Sequence, residues 1–119
     1  MAHDGLTIEG IDTEGALKRF GNKRERYEAL LQKFADKQAN TVFAVRAALA
    51  SGDRAAAERD VHSLKGAAGS LGANALAEAA DKAEKSLKAG LEDGVALQQL
   101  EVALATVVQA IRSKLANEL

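Results

Sequence analysis

The apolar residues of this chain recur with the period of an α-helix, and no proline interrupts them. Within residues 60–72 (DVHSLKGAAGSLG), Val61, Leu64, Ala68 and Leu71 are spaced three, four and three apart, which places them in one stripe along a helix. Apolar residues make up 47% of the chain but aromatic residues only 3%, a composition typical of small, closely packed helices. The sequence therefore predicts an all-α fold, and 119 residues suit a single domain.

Capping residues and glycines divide the chain into one short helix and four long ones. Residues 1–11 are predicted to be a flexible lead-in, and residues 12–119 to form the helical domain. The predicted helix boundaries are Asp12 and Gly21 for the short helix, Asn22 and Ser51-Gly52 for a helix over residues 23–50, Asp53 and Gly72 for the third, Asn74 and Gly90 for the fourth, and Asp93 for the start of the last. Because the connections are short, we expect an antiparallel up-down four-helix bundle with an additional short N-terminal helix.

The candidate functional residues lie on one edge of the third helix. His62 lies about 100° round the helix from Val61, beside the buried stripe, and Lys65, Gly66 and Gly69 follow it along the same edge. A glycine inside a helix costs about 1 kcal/mol relative to alanine. Two such glycines beside a histidine and a lysine indicate a functional surface, although a lone histidine on a helix is more often an ordinary surface residue.

This segment resembles the signature of histidine-containing phosphotransfer (HPt) domains of two-component phosphorelays. The family pattern His-x-Leu-Lys-Gly stands here at residues 62–66 (HSLKG), and Leu71-Gly72-Ala73 and Leu76 follow at the expected distance. The segment over residues 10–34 is similar to the lead-in of HPt modules in hybrid sensor kinases. The resemblance implies a phosphorelay intermediate, which accepts a phosphoryl group on His62 from a receiver aspartyl phosphate and passes it to another receiver aspartate.

The residue types on this edge suit that chemistry. Neutral imidazole is a good nucleophile near pH 7, and phosphoryl transfer requires in-line positioning and charge neutralisation. Lys65, one turn from His62, is expected to stabilise the phosphoryl charge. Gly66 and Gly69 are expected to form a partner-approach surface, because a residue without a side chain lets the loops of another protein come close to the ring.

Three further residues are candidates for supporting His62. Glu58, four residues earlier, could accept a hydrogen bond from one ring nitrogen, and Arg59 could add positive charge. Gln38 could face the histidine from the neighbouring helix. Each of them is better explained as an ordinary surface or edge residue. The outer face of the fourth helix is predicted to be a solvated surface; it carries Asp81, Lys82, Glu84, Lys85 and Lys88.

The composition of the chain and the motifs that it lacks argue against several classes of function. The chain has no cysteine and only two histidines, far apart in sequence, so no metal site is expected. Without a phosphate-binding loop or an acidic cluster, we expect no kinase or ATP-binding activity and no cofactor; Mg²⁺ would be supplied by the partner receiver domain. The 16 basic and 17 acidic residues interleave, which argues against nucleic acid. No apolar run approaches the ~20 residues of a membrane span, so a cytoplasmic protein without membrane contact is expected. The apolar stripes are used within one bundle, which favours a monomer.

Two alternative functions remain open from the sequence. The histidine could be phosphorylated directly by a partner histidine-kinase domain, or the chain could be a non-catalytic helical bundle that only binds a partner. The residues upstream of the motif favour the relay between receiver domains of response regulators and a hybrid sensor kinase. The conjunction of His62, Lys65, Gly66 and Gly69 on one helix edge argues against an incidental histidine.

Overall fold

Six helices make up most of the computed structural model, which describes residues 7–90 and 94–117. The helices are α1 (Thr13–Arg19), α2 (Arg24–Gln38), α3 (Thr41–Ala50), α4 (Arg54–Leu71), α5 (Asn74–Lys88) and α6 (Gly94–Asn117). Among these residues the only β-type pairing is an isolated bridge between Ile8 and Ile11. The predicted all-α fold is therefore confirmed.

The helices share one hydrophobic core, with α4 near its centre. Helix α4 packs against α3 and α5, and α6 contacts α5 and α2. The largest fully buried side chains come from five helices: Tyr27, Leu31, Val45, Val61, Leu64, Leu76, Leu100 and Ile111. The predicted stripe of α4 is buried along its whole length, so packing fixes the rotation of this helix and the side on which His62 emerges.

Helix α4 begins and ends where the sequence predicts. The Asp53 side chain accepts a hydrogen bond from the Ala56 backbone N–H at 3.0 Å, which caps the first turn. Gly72 follows the last residue with φ +89°, a conformation that glycine adopts without strain. The predicted cap of α1 is confirmed as well, since Asp12 accepts from the Gly15 N–H at 3.1 Å.

The predicted single helix over residues 23–50 is wrong, because α2 ends at Gln38 and α3 begins at Thr41. The Thr41 hydroxyl donates a hydrogen bond to the Gln38 side-chain oxygen, and Asn40 adopts a non-helical conformation. Threonine and asparagine are also poorer helix formers than alanine. The apolar spacing continues across the break, which is why periodicity alone does not reveal it.

Two predicted N-caps are also wrong. Asn22 has a left-handed φ of +59° and belongs to the preceding turn, so that Lys23 takes the cap position of α2. Ala73 takes the cap position of α5, and Asn74 is the first helical residue. Ala73 is fully buried, and its backbone carbonyl accepts from the Ala77 N–H, so packing determines this boundary. The predicted start of the last helix at Asp93 lies outside the described residues.

The segment before α1 contacts the bundle in the part that the structure describes. Ile8 is only 3% exposed and belongs to the core, although the predicted lead-in includes it. The Asp12 backbone N–H donates to the Gly72 carbonyl at 2.8 Å, which ties the start of α1 to the end of α4. Residues 1–6 of the lead-in lie outside the described residues.

Helix α6 is, among the described helices, the one long and apolar enough to cross a membrane by length and composition. The core helix of a globular domain passes the same test. Three of its larger apolar side chains, Leu100, Leu104 and Ile111, are buried against the other helices. Their packing accounts for part of the apolar composition of α6, whereas Val95 and Val102 on the same helix are exposed.

Candidate functional site

His62 stands on the exposed side of α4. Its side chain is 67% exposed, whereas the neighbouring Val61 and Leu64 are fully buried. These two residues anchor the helix in the core on both sides of the histidine in sequence. The imidazole therefore projects from a rigid helix into solvent, where a second protein can reach it.

Glu84 on α5 binds the imidazole ring. Its Oε2 atom lies 2.9 Å from His62 Nδ1, and the residue is only 4% exposed. The hydrogen bond from Lys65, with further hydrogen bonds from Lys88 and His62, lowers the pKa of Glu84 to about 2 against the opposing effect of desolvation. Glu84 is therefore ionised at neutral pH and accepts the hydrogen bond. In the neutral ring this places the hydrogen on Nδ1 and leaves the Nε2 lone pair free.

Two lysines form ion pairs with Glu84, and a second carboxylate on α5, Asp81, forms ion pairs with one of these lysines and with a third. Lys65 Nζ lies 3.0 Å from Glu84 Oε1 and 3.3 Å from Asp81 Oδ1. Lys88 Nζ lies 3.1 Å from Glu84 Oε2, and Lys85 Nζ lies 3.0 Å from Asp81 Oδ2. We call these five residues the α4–α5 charge network. Three lysines face two carboxylates, so the network has one positive charge in excess beside His62.

Hydrogen bonds within the network favour the ionised forms of Lys65, Asp81 and Glu84. Those that Lys65 donates to Glu84 and Asp81 raise the pKa of Lys65. The hydrogen bonds from Lys85 and Lys65 lower the pKa of Asp81. The lysine that the sequence predicts beside the histidine is thus a charged residue held at a defined position by two carboxylates.

The two glycines of the predicted edge face open space. A methyl group placed on Gly66 or Gly69 would meet no atom of a neighbouring element within 4 Å. Packing within the described chain therefore does not require glycine at either position. The conformation does not require it either, because both lie inside α4 with ordinary helical geometry.

Among the described residues, none of the three candidate supporting residues bonds to the imidazole ring. Glu84 occupies the position beside Nδ1 that the sequence offered to Glu58, and neither Glu58 nor Arg59 bonds to His62 in the described part of the chain. Gln38 is buried, bonds to Thr41 and lines a different feature.

That feature is a groove of about 420 Å³ between α2 and α4, which we call the α2–α4 groove. Its lining includes the apolar side chains of Phe20, Leu30, Phe34 and Leu71. Lys33 and Lys37, both exposed, line it as well. Ala67 and Ser70 of α4 also line the groove, next in sequence to Gly66 and Gly69, which we call the glycine edge.

The prediction of a solvated outer face on α5 is wrong for Glu84, the residue of the candidate site that the sequence reasoning missed. One signal was present: Ala80, Glu84 and Leu87 follow one another at spacings of four and three, and all three are buried. A carboxylate at an apolar-stripe position is buried almost only when it has partners. Two of its partners, His62 and Lys65, come from a different helix.

Fold and site together define a class: an all-helical domain that presents a carboxylate-bound histidine and a fixed lysine on an exposed helix edge. Residues 29–114, most of the chain, match the family model of the Hpt domain. The chain therefore belongs to the Hpt domain family. Membership of this family implies a role in histidine phosphotransfer in two-component signalling. Comparison with curated proteins gave no match, and comparison with solved structures gave none either.

Proposed function

We propose that His62 is the phosphoacceptor of a relay between receiver domains. The observation that carries this proposal is the bond between Glu84 and His62 Nδ1, because it leaves the exposed Nε2 as the nucleophile. The position of the histidine in the family match also supports it. Residues 29–114 include His62, whereas His3 lies outside them.

The transfer needs no proton movement within this chain. The Nε2 lone pair attacks the phosphorus of a receiver aspartyl phosphate, the Nε2–P bond forms, and the P–O bond to the aspartate breaks. The aspartate leaves as a carboxylate, and the phosphorylated ring takes a positive charge that the Nδ1–H shares with Glu84. Attack by a second receiver aspartate reverses these steps, and the receiver supplies Mg²⁺.

Lys65 supplies positive charge to the transferred group. Its ammonium group has three hydrogens, and two of them are directed at Glu84 and Asp81. The third is available to a phosphoryl oxygen on the neighbouring His62. The two carboxylates hold the ammonium in place, so less side-chain entropy is lost when the phosphoryl group arrives.

The receiver approaches over Gly66 and Gly69 and extends onto the α2–α4 groove. The glycine edge supports this because it is open and unused by internal packing. The groove supports it because it combines apolar side chains with the cations Lys33 and Lys37. Apolar anchors with a charged rim are the usual composition of a protein interface.

We further propose the antiparallel up-down arrangement, with α2 and α3 together forming the first arm of the bundle. The contacts of α4 with α3 and α5, and of α6 with α5 and α2, support it, as do the short connections between these helices. A single chain uses these contacts to close the core, which supports a monomer. A cytoplasmic protein of the hybrid-sensor-kinase type remains our expectation.

The proposal is tested by phosphoryl transfer from a panel of phosphorylated receiver domains to the wild type, His62→Gln and Lys65→Ala. We expect acid-labile, alkali-stable labelling of the wild type by one or two receivers, none of His62→Gln, and slower labelling of Lys65→Ala. Labelling of His62→Gln would overturn the proposal. Labelling of the wild type by a histidine-kinase domain with ATP, but by no receiver, would favour the direct-substrate alternative.

A further inference from the structure

Lys88 and the candidate phosphoacceptor His62 contact the same oxygen atom of Glu84. Glu84 Oε2 lies 2.9 Å from His62 Nδ1 and 3.1 Å from Lys88 Nζ. The other oxygen, Oε1, lies 3.0 Å from Lys65 Nζ. Each oxygen of the carboxylate that orients the ring therefore also has a lysine partner, one from α4 and one from α5.

A carboxylate that binds an imidazole has two opposing effects on its reactivity. It orients the ring and fixes the hydrogen on Nδ1. It also favours the imidazolium form, because an opposite charge nearby stabilises the charged state. Imidazolium carries a hydrogen on both nitrogens and has no lone pair for attack. A carboxylate that orients the nucleophile without inactivating it needs its own charge offset.

We propose that Lys88 is a positioning residue for the phosphotransfer chemistry: it offsets the charge of Glu84 so that this carboxylate orients His62 while the ring stays neutral. The inference rests on the proposed function of His62. Lys65 contributes to the same offset, but it also stands beside the phosphoryl group. Lys88 contacts the opposite oxygen, so its contribution can be tested separately.

Other charged groups near the ring do not duplicate this role. On α4, Glu58 and Arg59 precede His62 by about one turn and carry opposite charges. Arg54 donates to the Leu87 carbonyl at 3.0 Å, at the end of α5. On α5, Asp81 and Lys85 pair with each other. Within the described residues, α1, α2, α3 and α6 provide no charged side chain that bonds to Glu84 or His62.

Lys88→Met tests the proposal directly, with Lys85→Met as the matched control. Both lysines are exposed on α5 and carry the same charge. Lys85 bonds to Asp81, whereas Lys88 bonds to Glu84. The two substitutions therefore change net charge equally and differ in whether they remove a partner of the carboxylate on the ring. Circular dichroism of both variants checks that the helices are retained.

The first readout is the pH titration of the His62 ring by NMR. The chain has two histidines, so His62→Gln assigns the signal. Lys88 Nζ and His62 Nδ1 contact the same oxygen at 3.1 and 2.9 Å, so the two nitrogens lie no more than about 6 Å apart. Removing this positive charge should move the titration midpoint upward by about half a pH unit or more in Lys88→Met. Lys85→Met should leave it nearly unchanged. Equal shifts in both variants, no shift in either, or a downward shift in Lys88→Met would overturn the proposal.

The second readout is the rate at which phosphoramidate, a small donor that needs no receiver, phosphorylates His62. At a pH below the His62 midpoint that the titration gives, Lys88→Met should react about threefold more slowly than Lys85→Met, since an upward shift of half a pH unit lowers the neutral fraction there by that factor. The rates should converge at higher pH. Coinciding profiles would overturn the role of Lys88. Failure of the wild type to react at His62 would instead count against the proposed function, and the titration would still decide the inference.

Discussion

At the scale of single residues, the contacts of Glu84 bear both on the stability of the fold and on the proposed chemistry of His62. A buried carboxylate without partners is strongly destabilising, but three donors from His62, Lys65 and Lys88 reach its two oxygens. These partners offset the desolvation and keep the group ionised. The same bonds orient the imidazole, so the contacts that make Glu84 tolerable in the fold also prepare the site.

The depressed pKa of Glu84 predicts a specific acid sensitivity. Its folded pKa of about 2 lies below the ordinary value of 4.5, so its contribution to stability is complete above about 4.5 and is lost as the pH falls toward 2. Glu84→Gln should lower the free energy of unfolding at pH 7. Between pH 4.5 and pH 2, the free energy of unfolding should fall less in this variant than in the wild type. Urea unfolding at a series of pH values measures both, with the exposed Glu78→Gln as the control. Parallel pH profiles for wild type and Glu84→Gln would contradict this role.

At the scale of elements, α4 combines a rigid inner face with an unusually open outer one. Its inner stripe is buried, and its ends are fixed by Asp53 and Gly72. Its outer edge carries two glycines, Gly66 and Gly69, at which an added Cβ would contact no other element among the described residues. Glycine inside a helix destabilises the fold. A helix that keeps two of them over open space gives up stability at the surface that a partner is proposed to contact.

Gly66→Ala and Gly69→Ala should therefore stabilise the protein while impairing its partner reaction. Each should raise the free energy of unfolding by about 0.5–1 kcal/mol, because the added methyl group meets no neighbour. Receiver-dependent phosphorylation should slow, while the reaction with phosphoramidate should not. Chemical denaturation and the two transfer assays test this. Unchanged transfer from the receiver would remove the functional reason for these glycines.

Gly72 is required for a different reason. Its φ of +89° is unfavourable for other residues, and an added Cβ would lie 2.6 Å from the Asp12 carbonyl oxygen. Gly52 is the control: it has a similar φ of +84°, but an added Cβ there would meet no described atom within 4 Å. Substitution of Gly52 therefore measures the cost of the backbone conformation without the steric clash. Gly52→Ala should lower stability by about 1 kcal/mol and Gly72→Ala by at least twice that, measured by urea unfolding. Equal losses would show that the contact between α1 and the end of α4 matters little.

Local sequence predicted the parts of the site that one helix contains. His62, Lys65, Gly66 and Gly69 share α4, and both the caps and the apolar stripe of that helix can be read directly from the sequence. Glu84 was missed because its role depends on the packing of α5 against α4, which periodicity does not specify. The break between α2 and α3 was missed for the opposite reason, since two residues of low helix propensity, Asn40 and Thr41, stand where the helix ends although the apolar pattern continues.

At the scale of the whole molecule, two different surfaces adjoin the candidate phosphoacceptor. The α4–α5 charge network lies where α4 meets α5. The α2–α4 groove lies where α4 meets α2, and its residues Ala67 and Ser70 come five and eight positions after His62, about 7.5 and 12 Å along the helix. The chemistry and the proposed docking surface thus occupy different sides of α4, so that substitutions can affect one without the other.

Charge reversal at the groove should weaken docking and spare the chemistry. Lys33→Glu should raise the KM for the receiver about fivefold, since a rim charge contributes about 1 kcal/mol, and the effect should diminish at high salt. The rate with phosphoramidate should not change. Lys82→Glu, an exposed reversal on α5 outside the groove, is the control. Equal effects of the two reversals would indicate general electrostatics rather than docking at the groove.

The most direct test of the account is to identify which ring nitrogen carries the phosphoryl group. Heteronuclear NMR of the phosphorylated, ¹⁵N-labelled protein distinguishes the two positions on the imidazole. Because Glu84 holds Nδ1 at 2.9 Å, the account predicts phosphorylation of His62 at Nε2, with the Nδ1 hydrogen retained. Phosphorylation at Nδ1, or at a residue other than His62, would contradict it.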